Sequence, residues 1–374
     1  MPAPSRFVYV GTYTAPNTAP GGARPSAALG ISVLRLDGRS GALAPVQVVE
    51  GIENPSWVTL DPGLRVLYAV SEVAGWAGRD GSGGLTGYAV DEATGRLTRL
   101  GDQPTGGAIP AHDVVDPSGR FVLVANYAGA SFSVLPILEG GRPGPATEVH
   151  AVSGTGPDRS RQEAPHPHQV LFDPAGAFVH GPDLGSDRVW SWRLDPAAGR
   201  LAPADPPAAR LGAGSGPRHL AFHPGGRFAY VVEELASAIT AFAYDGATGA
   251  FSRLHSVSSL PPGAAGANTA GEILVHPGGG FVYASNRGHD SIGGFAVDQE
   301  TGRLTPAGWT STGGQVPRGV AIDPSGHLLL AANQNSDTIV PFEIDAGTGA
   351  LRPTGYVTRT STPVCIQFGR VGGG

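Results

Sequence analysis

The sequence contains no lysine: all 25 of its cationic residues are arginine. A Walker phosphate loop and any Schiff-base lysine are therefore excluded. A single cysteine, Cys365, allows neither an internal disulfide nor a cysteine-built zinc cluster. Met1 is the only methionine. Charged residues make up only 15% of the 374, and the net charge of -6 gives no footprint for nucleic acid. No apolar run reaches the ~18 residues of a membrane-crossing helix. The opening Met-Pro-Ala-Pro-Ser-Arg runs straight into a strand-like FVYV, without the apolar stretch of a secretion signal. The expectation is a soluble, cytoplasmic chain with no membrane partner.

Turn formers are abundant instead, with 58 glycines and 34 prolines. Such a share without a period would suggest disorder. However, 40% of the residues are hydrophobic, and so few charges cannot keep a chain solvated and open. The composition fits an all-β protein with very many turns.

The turns recur. An Asp-Pro or His-Pro signal stands at Asp61, Asp116, Asp173, His223, His276 and Asp323, in steps of 55, 57, 50, 53 and 47 residues. Each follows a short apolar segment (WVTL, DVV, QVLF, HLAF, EILV, GVAI) and precedes another (VLYAVS, FVLVAN, FVHGPD, FAYVVE, FVYASN, LLLAAN). Most units continue with a third strand ending in Asp, a Thr/Gly turn and a fourth strand. Four short antiparallel strands per ~50 residues describe a β-propeller blade. One such sheet cannot bury both faces, so blades must stack around an axis. Six units are complete. FVYVGTY at 7–13 is a second strand lacking its first, and TPVCIQF at 362–368 is a first strand lacking its second. Pairing the termini supplies a seventh blade and leaves no free sheet edge. The predicted fold is all-β, a seven-bladed β-propeller of four-stranded antiparallel blades, closed by the N- and C-terminal strands. It forms a single domain over 1–374 with an ordered core of about 6–369. WD40 repeats differ, since no blade carries their Gly-His and Trp-Asp signature.

The repeat allows side chains to be compared between blades. Five residues before the turn stand Ser56, Ala111, His168, Arg218, Gly271 and Arg318; eleven after it stand Glu72, Tyr127, Leu184, Glu234, Arg287 and Gln334. The start of one strand and the end of its antiparallel neighbour lie at the same end of a sheet. Both columns should therefore ring the mouth of the central channel on one face. His168, Arg218, Glu234 and Arg287 come from three adjacent blades, and Arg318 adjoins them. An imidazole, a carboxylate and several guanidiniums suit an anionic substrate and acid–base work. The bland reading is an inter-blade salt-bridge network. Four Gly/Pro/Ser-rich insertions (13–29, 73–85, 153–166, 260–271) fall on the same face, as a substrate site needs.

Other polar residues read as structural. His223 and His276 take the turn position of Asp, as caps on the far face. His166 and His168 form His-Pro-His, but Pro167 is awkward in a strand, and no metal is expected. His219 should point to the opposite side of its strand from Arg218, and His112 and Glu272 share that inter-blade register. Asn126, Asn286 and Asn333 recur as turn residues, and Cys365 reads as a small buried apolar residue.

The segments APHPHQVLFDPAG, GPRHLAFHPGGRFAYVVEELAS, FVYASNRG and VPRGVAIDPSG resemble the seven-bladed lactonase family. That family includes the propeller-type 6-phosphogluconolactonases and fungal enzymes acting on carboxymuconate lactone. The resemblance implies a catalytic set of His168, Glu234, Arg218 and Arg287. It also covers Arg318, and it implies no metal or organic cofactor; Gln334, from the repeat ring, joins Arg218, Arg287 and Arg318 as an expected substrate-binding residue. Glu233 before Glu234, where some relatives carry Asn, and the long 153–166 loop depart from the pattern and bear on substrate identity.

A lactone is an internal ester. Opening it needs an activated water, a base and donors for the oxyanion. G-x-S-x-G does not occur, which favours direct water attack. Either His168 or Glu234 would be the base, with Arg218 and Arg287 holding phosphate or carboxylate. The function expected first is hydrolysis of 6-phosphoglucono-δ-lactone in the pentose phosphate route. A lactonase or cycloisomerase for a carboxylated lactone comes second, and a non-catalytic propeller binding an anionic metabolite or a protein third. The partner is a small anionic lactone, and a monomer is the default.

Overall fold

The computed structural model describes residues 5–15 and 26–371. Seven four-stranded antiparallel sheets, one carrying a further short strand, follow one another around an axis. Blade one begins at Val58–Leu60, blade two at Pro110–Val115, blade three at Leu171–Phe172 and blade four at Pro217–Phe222. Blades five and six begin at Thr269–Val275 and Pro317–Ile322. In blade seven the innermost strand is the C-terminal Pro363–Val371, paired with the N-terminal Arg6–Thr12 through Val10 opposite Ile366 and Tyr9 opposite Gln367. The terminal closure and the seven-bladed ring expected from the repeat are both present.

Burial explains why the sheets stack. Second strands such as Phe121–Asn126, Phe228–Glu233 and Leu328–Asn333 are buried throughout, whereas outer strands such as Ala250–Ser258 alternate toward solvent. Three interfaces add a recurring polar clasp. The hydroxyls of Tyr9, Tyr230 and Tyr283 donate to the carbonyls of Gly95 (3.1 Å), Gly302 (3.2 Å) and Gly349 (2.8 Å) in the Thr-Gly turn of the next blade.

The far face carries the Asp-Pro and His-Pro turns. Asp116 accepts from the amides of Arg120 and Phe121, which closes the hairpin. His223 and His276 do more than cap. Each Nδ1 accepts from its own turn (Gly225 and Gly278, both 3.0 Å). Each Nε2 donates to the following blade's turn (Gly279 at 3.1 Å, Gly326 at 2.9 Å). An imidazole spans two blades where a carboxylate, having no donor, closes only one.

The long connections lie on the opposite face. The 73–85 segment is partly ordered as a hairpin of Gly75–Trp76 against Arg79–Asp80. Of the 13–29 connection, residues 16–25 lie outside the described residues. Among the described residues no helix is long and apolar enough to cross a membrane.

Candidate active site

Pairing of Pro217 with Glu233, Thr269 with Arg287 and Pro317 with Asn333 brings the two polar columns to one end of the propeller. At that end the register slips between Pro110 and His112, Pro217 and His219, Ala270 and Ile273, and Pro317 and Gly319. These bulges fall on Ala111, Arg218, Gly271 and Arg318, one of the two columns. A bulge interrupts strict alternation and re-aims side chains. The expectation that His219 turns away from Arg218 is corrected on this point. Arg218 reaches the mouth, while His219 packs edge-on against the His168 ring, 5.1 Å between centroids.

Glu234 is the centre of the cluster. Its backbone is pinned from both sides, with its amide donating to Gly216 (2.7 Å) and its carbonyl accepting from Ala270 (3.1 Å). Gly216 sits at φ +60°, where a Cβ would fall 2.5 Å from Leu235, so this entry turn requires glycine. The carboxylate is 2% exposed by residue. It meets Arg287 at 2.6 Å and Arg218 at 3.3 Å through Oε2, and Arg161 at 2.6 Å through Oε1. Arg218 also donates to the Gly271 carbonyl (2.8 Å), and Arg287 to that of Ala270 (2.7 Å). Gly271 again has no room for a side chain, since its Cβ would lie 2.5 Å from Ser285 Oγ.

Electrostatics separates the two candidate bases. Burial by itself would raise the Glu234 carboxyl, but Arg287, Arg218 and Arg161 overcome it and hold it well below the usual carboxylate range. Such a group accepts a proton poorly. His168 is moved the other way: burial, then Arg218, His219, Arg318 and Arg287, push its pKa well below the ordinary imidazole value. It is neutral at pH 7, and its buried Nδ1 has no hydrogen-bond partner. Its backbone amide donates to Pro182 (3.0 Å), and an isolated bridge pairs Pro167 with Asp183. The inner strand of blade three is reduced to Leu171–Phe172, while the chain before it still tracks its neighbour.

Burial, followed by the nearby Arg287 and Arg318, lowers the Arg218 pKa to about 9. Arg318 makes no hydrogen bond or ion pair among the described residues; its guanidinium lies 5.3 Å from the Tyr13 ring. Tyr13 in turn donates to Glu72 at 2.9–3.0 Å. Gln334 is buried at the start of a short 3-10 turn, and its Oε1 has no partner.

The repeat columns miss Arg161, because it lies in the 153–166 loop and has no counterpart in other blades. That loop is not loose. The Asp158 carbonyl accepts from the amides of Arg161 and Gln162. Fully buried Gln162 donates to Leu184 and Asp187, both at 2.8 Å. Asp187 also holds the amides of Gly214 and Gly216, so the loop, Arg161 and the Glu234 turn share one anchor. His166 stacks on Tyr127 at 4.5 Å and contacts Glu163 at 3.0 Å, so it is engaged apart from His168. Glu233 turns into the blade to bond Thr240, occupying the recurring position of Asn126, Asn286 and Asn333. Those asparagines are fully buried and tie strand ends to Ser133, Ser259 and Thr312. Among the described residues no three His, Cys, Asp or Glu side chains are placed to hold a metal ion.

Comparison with known proteins places this geometry in a family. Residues 7–368 match the model of the seven-bladed β-propeller lactonases. The 6-phosphogluconolactonase of Bacillus subtilis is 35% identical over 310 residues, covering 83% of each chain. The periplasmic gluconolactonase of Pseudomonas aeruginosa superposes with a TM-score of 0.88 at 33% identity, covering 98% of this chain and 99% of that one. A crystal structure from Bacteroides fragilis gives a TM-score of 0.89 at 32% identity over 98% of both chains. This chain belongs to the seven-bladed β-propeller lactonase family.

Proposed function

We propose that this protein hydrolyses a phosphorylated sugar lactone, 6-phosphoglucono-δ-lactone to 6-phosphogluconate, at the arginine-walled mouth. The observation that carries the reading is the convergence of four guanidiniums and one neutral imidazole around a single carboxylate. That carboxylate already holds three of the four. The surplus positive charge suits a dianionic substrate, and the neutral imidazole suits base catalysis near pH 7.

In this reading His168 takes the proton from the attacking water. Glu234 acts as the fixed counter-charge that orients Arg218, Arg287 and Arg161. Arg218 and Arg287 face the carbonyl oxygen as it becomes an oxyanion, because preorganised donors stabilise charge that develops in the transition state. Arg318, free of ion pairs among the described residues, takes the phosphate. Gln334 offers an unpaired amide oxygen to a sugar hydroxyl. The chain acts as a monomer in the cytoplasm, in the pentose phosphate route, with no cofactor.

The test compares the phosphorylated lactone with glucono-δ-lactone in wild type and Arg318→Ala. Loss of one charge-assisted contact of about 1.5–3 kcal/mol should raise KM for the phosphorylated substrate by roughly 10- to 100-fold. The unphosphorylated lactone should be nearly unaffected. Equal effects on both would remove Arg318 as the phosphate ligand. No preference for phosphate in wild type would move the weight to a carboxylated lactone, which the same arginines would bind.

A further inference from the structure

Beneath the mouth lies a second layer of polar side chains that the reading above does not use. His219 Nδ1 and Glu272 Oε1 are 2.6 Å apart, and the His219 side chain is fully buried. The other ring nitrogen, His219 Nε2, is buried without a partner. So is Nδ1 of His168, whose ring meets that of His219 at 5.1 Å and 70°. Trp57 fixes the group from the side, stacked on His112 at 4.2 Å and edge-on to His219 at 5.4 Å. Below, Glu272 and Trp57 line a cavity of about 310 Å³ between the inner strands. Two facing imidazoles with unpaired nitrogens, backed by a carboxylate, form an ordered line from the mouth toward the axis.

We propose that Glu272 and His219 form a proton relay behind His168, so that the proton taken from water is stored on Glu272 rather than on His168. The proposal rests on His168 being the proton acceptor. With Glu272 ionised, His219 holds its proton on Nδ1 and offers Nε2 as acceptor. His168 then carries its proton on Nδ1, and its Nε2 is the free base. When water attacks, its proton goes to His168 Nε2. The Nδ1 proton of His168 passes to His219 Nε2 once the 5.1 Å ring contact tightens to a hydrogen bond in the substrate complex, and that of His219 Nδ1 passes to Glu272. The water oxygen's electron pair forms the bond to the lactone carbonyl carbon, and the carbonyl π pair moves to the oxygen. On collapse the ring C–O bond breaks and its pair goes to the ring oxygen. The three proton shifts reverse and His168 Nε2 protonates that oxygen. One water has added across one ester bond, and the relay is restored.

The surroundings favour this over a lone histidine. An imidazolium at His168 would stand among Arg218, Arg287 and Arg318. Glu272 faces Arg218, His112 and Arg287, and lies near Cys365; Asp113 is close to the same cysteine. Burial outweighs those cations and pushes the Glu272 carboxyl up to about 7, while burial and the arginines push His219 well below the ordinary imidazole value. In a hydrolytic triad the carboxylate is normally the weaker base and stays ionised. Here the order is inverted, so the carboxyl is the better proton store.

The discriminating variable is the acid limb of the kcat/KM–pH profile, which reports the free enzyme's essential base. With the relay, wild type loses activity as pH falls through about 7, because a protonated Glu272 turns His168 into its acid tautomer. Glu272→Gln should lose that limb and lower kcat on the order of 10- to 100-fold, and Glu272→Asp should bring the limb back. A wild-type limb well below pH 6.5, or a glutamine variant with wild-type kcat and limb, would overturn the relay. Should the variant fail to fold, the solvent proton inventory of wild type decides. A bowed dependence of kcat on deuterium fraction is expected, and a straight line contradicts it. His168→Gln separates the two levels. Turnover retained in that variant refutes His168 as the base, whereas turnover lost there and unchanged in Glu272→Gln refutes the relay alone.

Discussion

Replacing Glu234 by Gln keeps the shape of the side chain and removes its charge. The structure gives this substitution a definite cost. Arg218 and Arg287 side chains are 3% and 4% exposed, and both lose the one carboxylate they contact among the described residues. Arg161, 29% exposed, can turn to water and contributes less. Removing one member of a buried ionic group typically costs about 3–5 kcal/mol. For a chain of 374 residues the unfolding entropy is about 0.8 kcal/mol/K, so the midpoint should fall by roughly 4–6 °C. Calorimetry on both proteins, with and without sulfate, measures it. Sulfate should raise the variant's midpoint more than wild type's, because an external anion replaces the missing carboxylate. A midpoint within about 1 °C of wild type, with no sulfate effect, would refute the claim that Glu234 is the electrostatic centre. The same variant should lose turnover but keep the position of the acid limb, since its carboxylate is not the base.

Arg161→Ala should lower kcat/KM about tenfold while costing under about 1 kcal/mol of stability, because the lost pair is partly exposed; urea unfolding beside turnover separates the two. His223→Ala should destabilise by about 1–2 kcal/mol through two lost turn bonds, with kcat unchanged, as seen by the same two measurements. Glu234 has a depressed folded pKa, so its stabilisation is present above the ordinary carboxylate value and is lost as pH falls through the lower one. Wild type should therefore lose its stability advantage over Glu234→Gln in strong acid, measurable as converging midpoints below about pH 3.

The fold was legible because a propeller repeats itself. Six proline turns at near-equal spacing fix the blades, and the orphan strands at the two ends fix the closure. The columns at His168, Arg218, Glu234 and Arg287 followed from antiparallel pairing alone. Arg161 was not legible, since a loop residue without a repeat partner has no column to stand out from. His219 was misplaced because alternation assumes a regular strand, and the bulge at Arg218 breaks it. A Pro-Arg-His start recurring in register with Pro-Arg-Gly and Pro-Ala-His was the available hint, as proline at a strand start often accompanies irregular pairing. The proposal of His168 rather than Glu234 as base needed three dimensions. The same kind of arginine surroundings keeps Glu234 ionised and paired but leaves His168 neutral, and only packing shows which guanidiniums lie against each group.

The most direct test generates 6-phosphoglucono-δ-lactone in the cuvette from glucose 6-phosphate and follows its opening by wild type, Arg218→Ala and Arg287→Ala, with spontaneous hydrolysis subtracted. The account predicts fast opening by wild type and a loss of orders of magnitude in both variants, each still folded by calorimetry. Opening no faster than background by folded wild type, or undiminished in both variants, would contradict it.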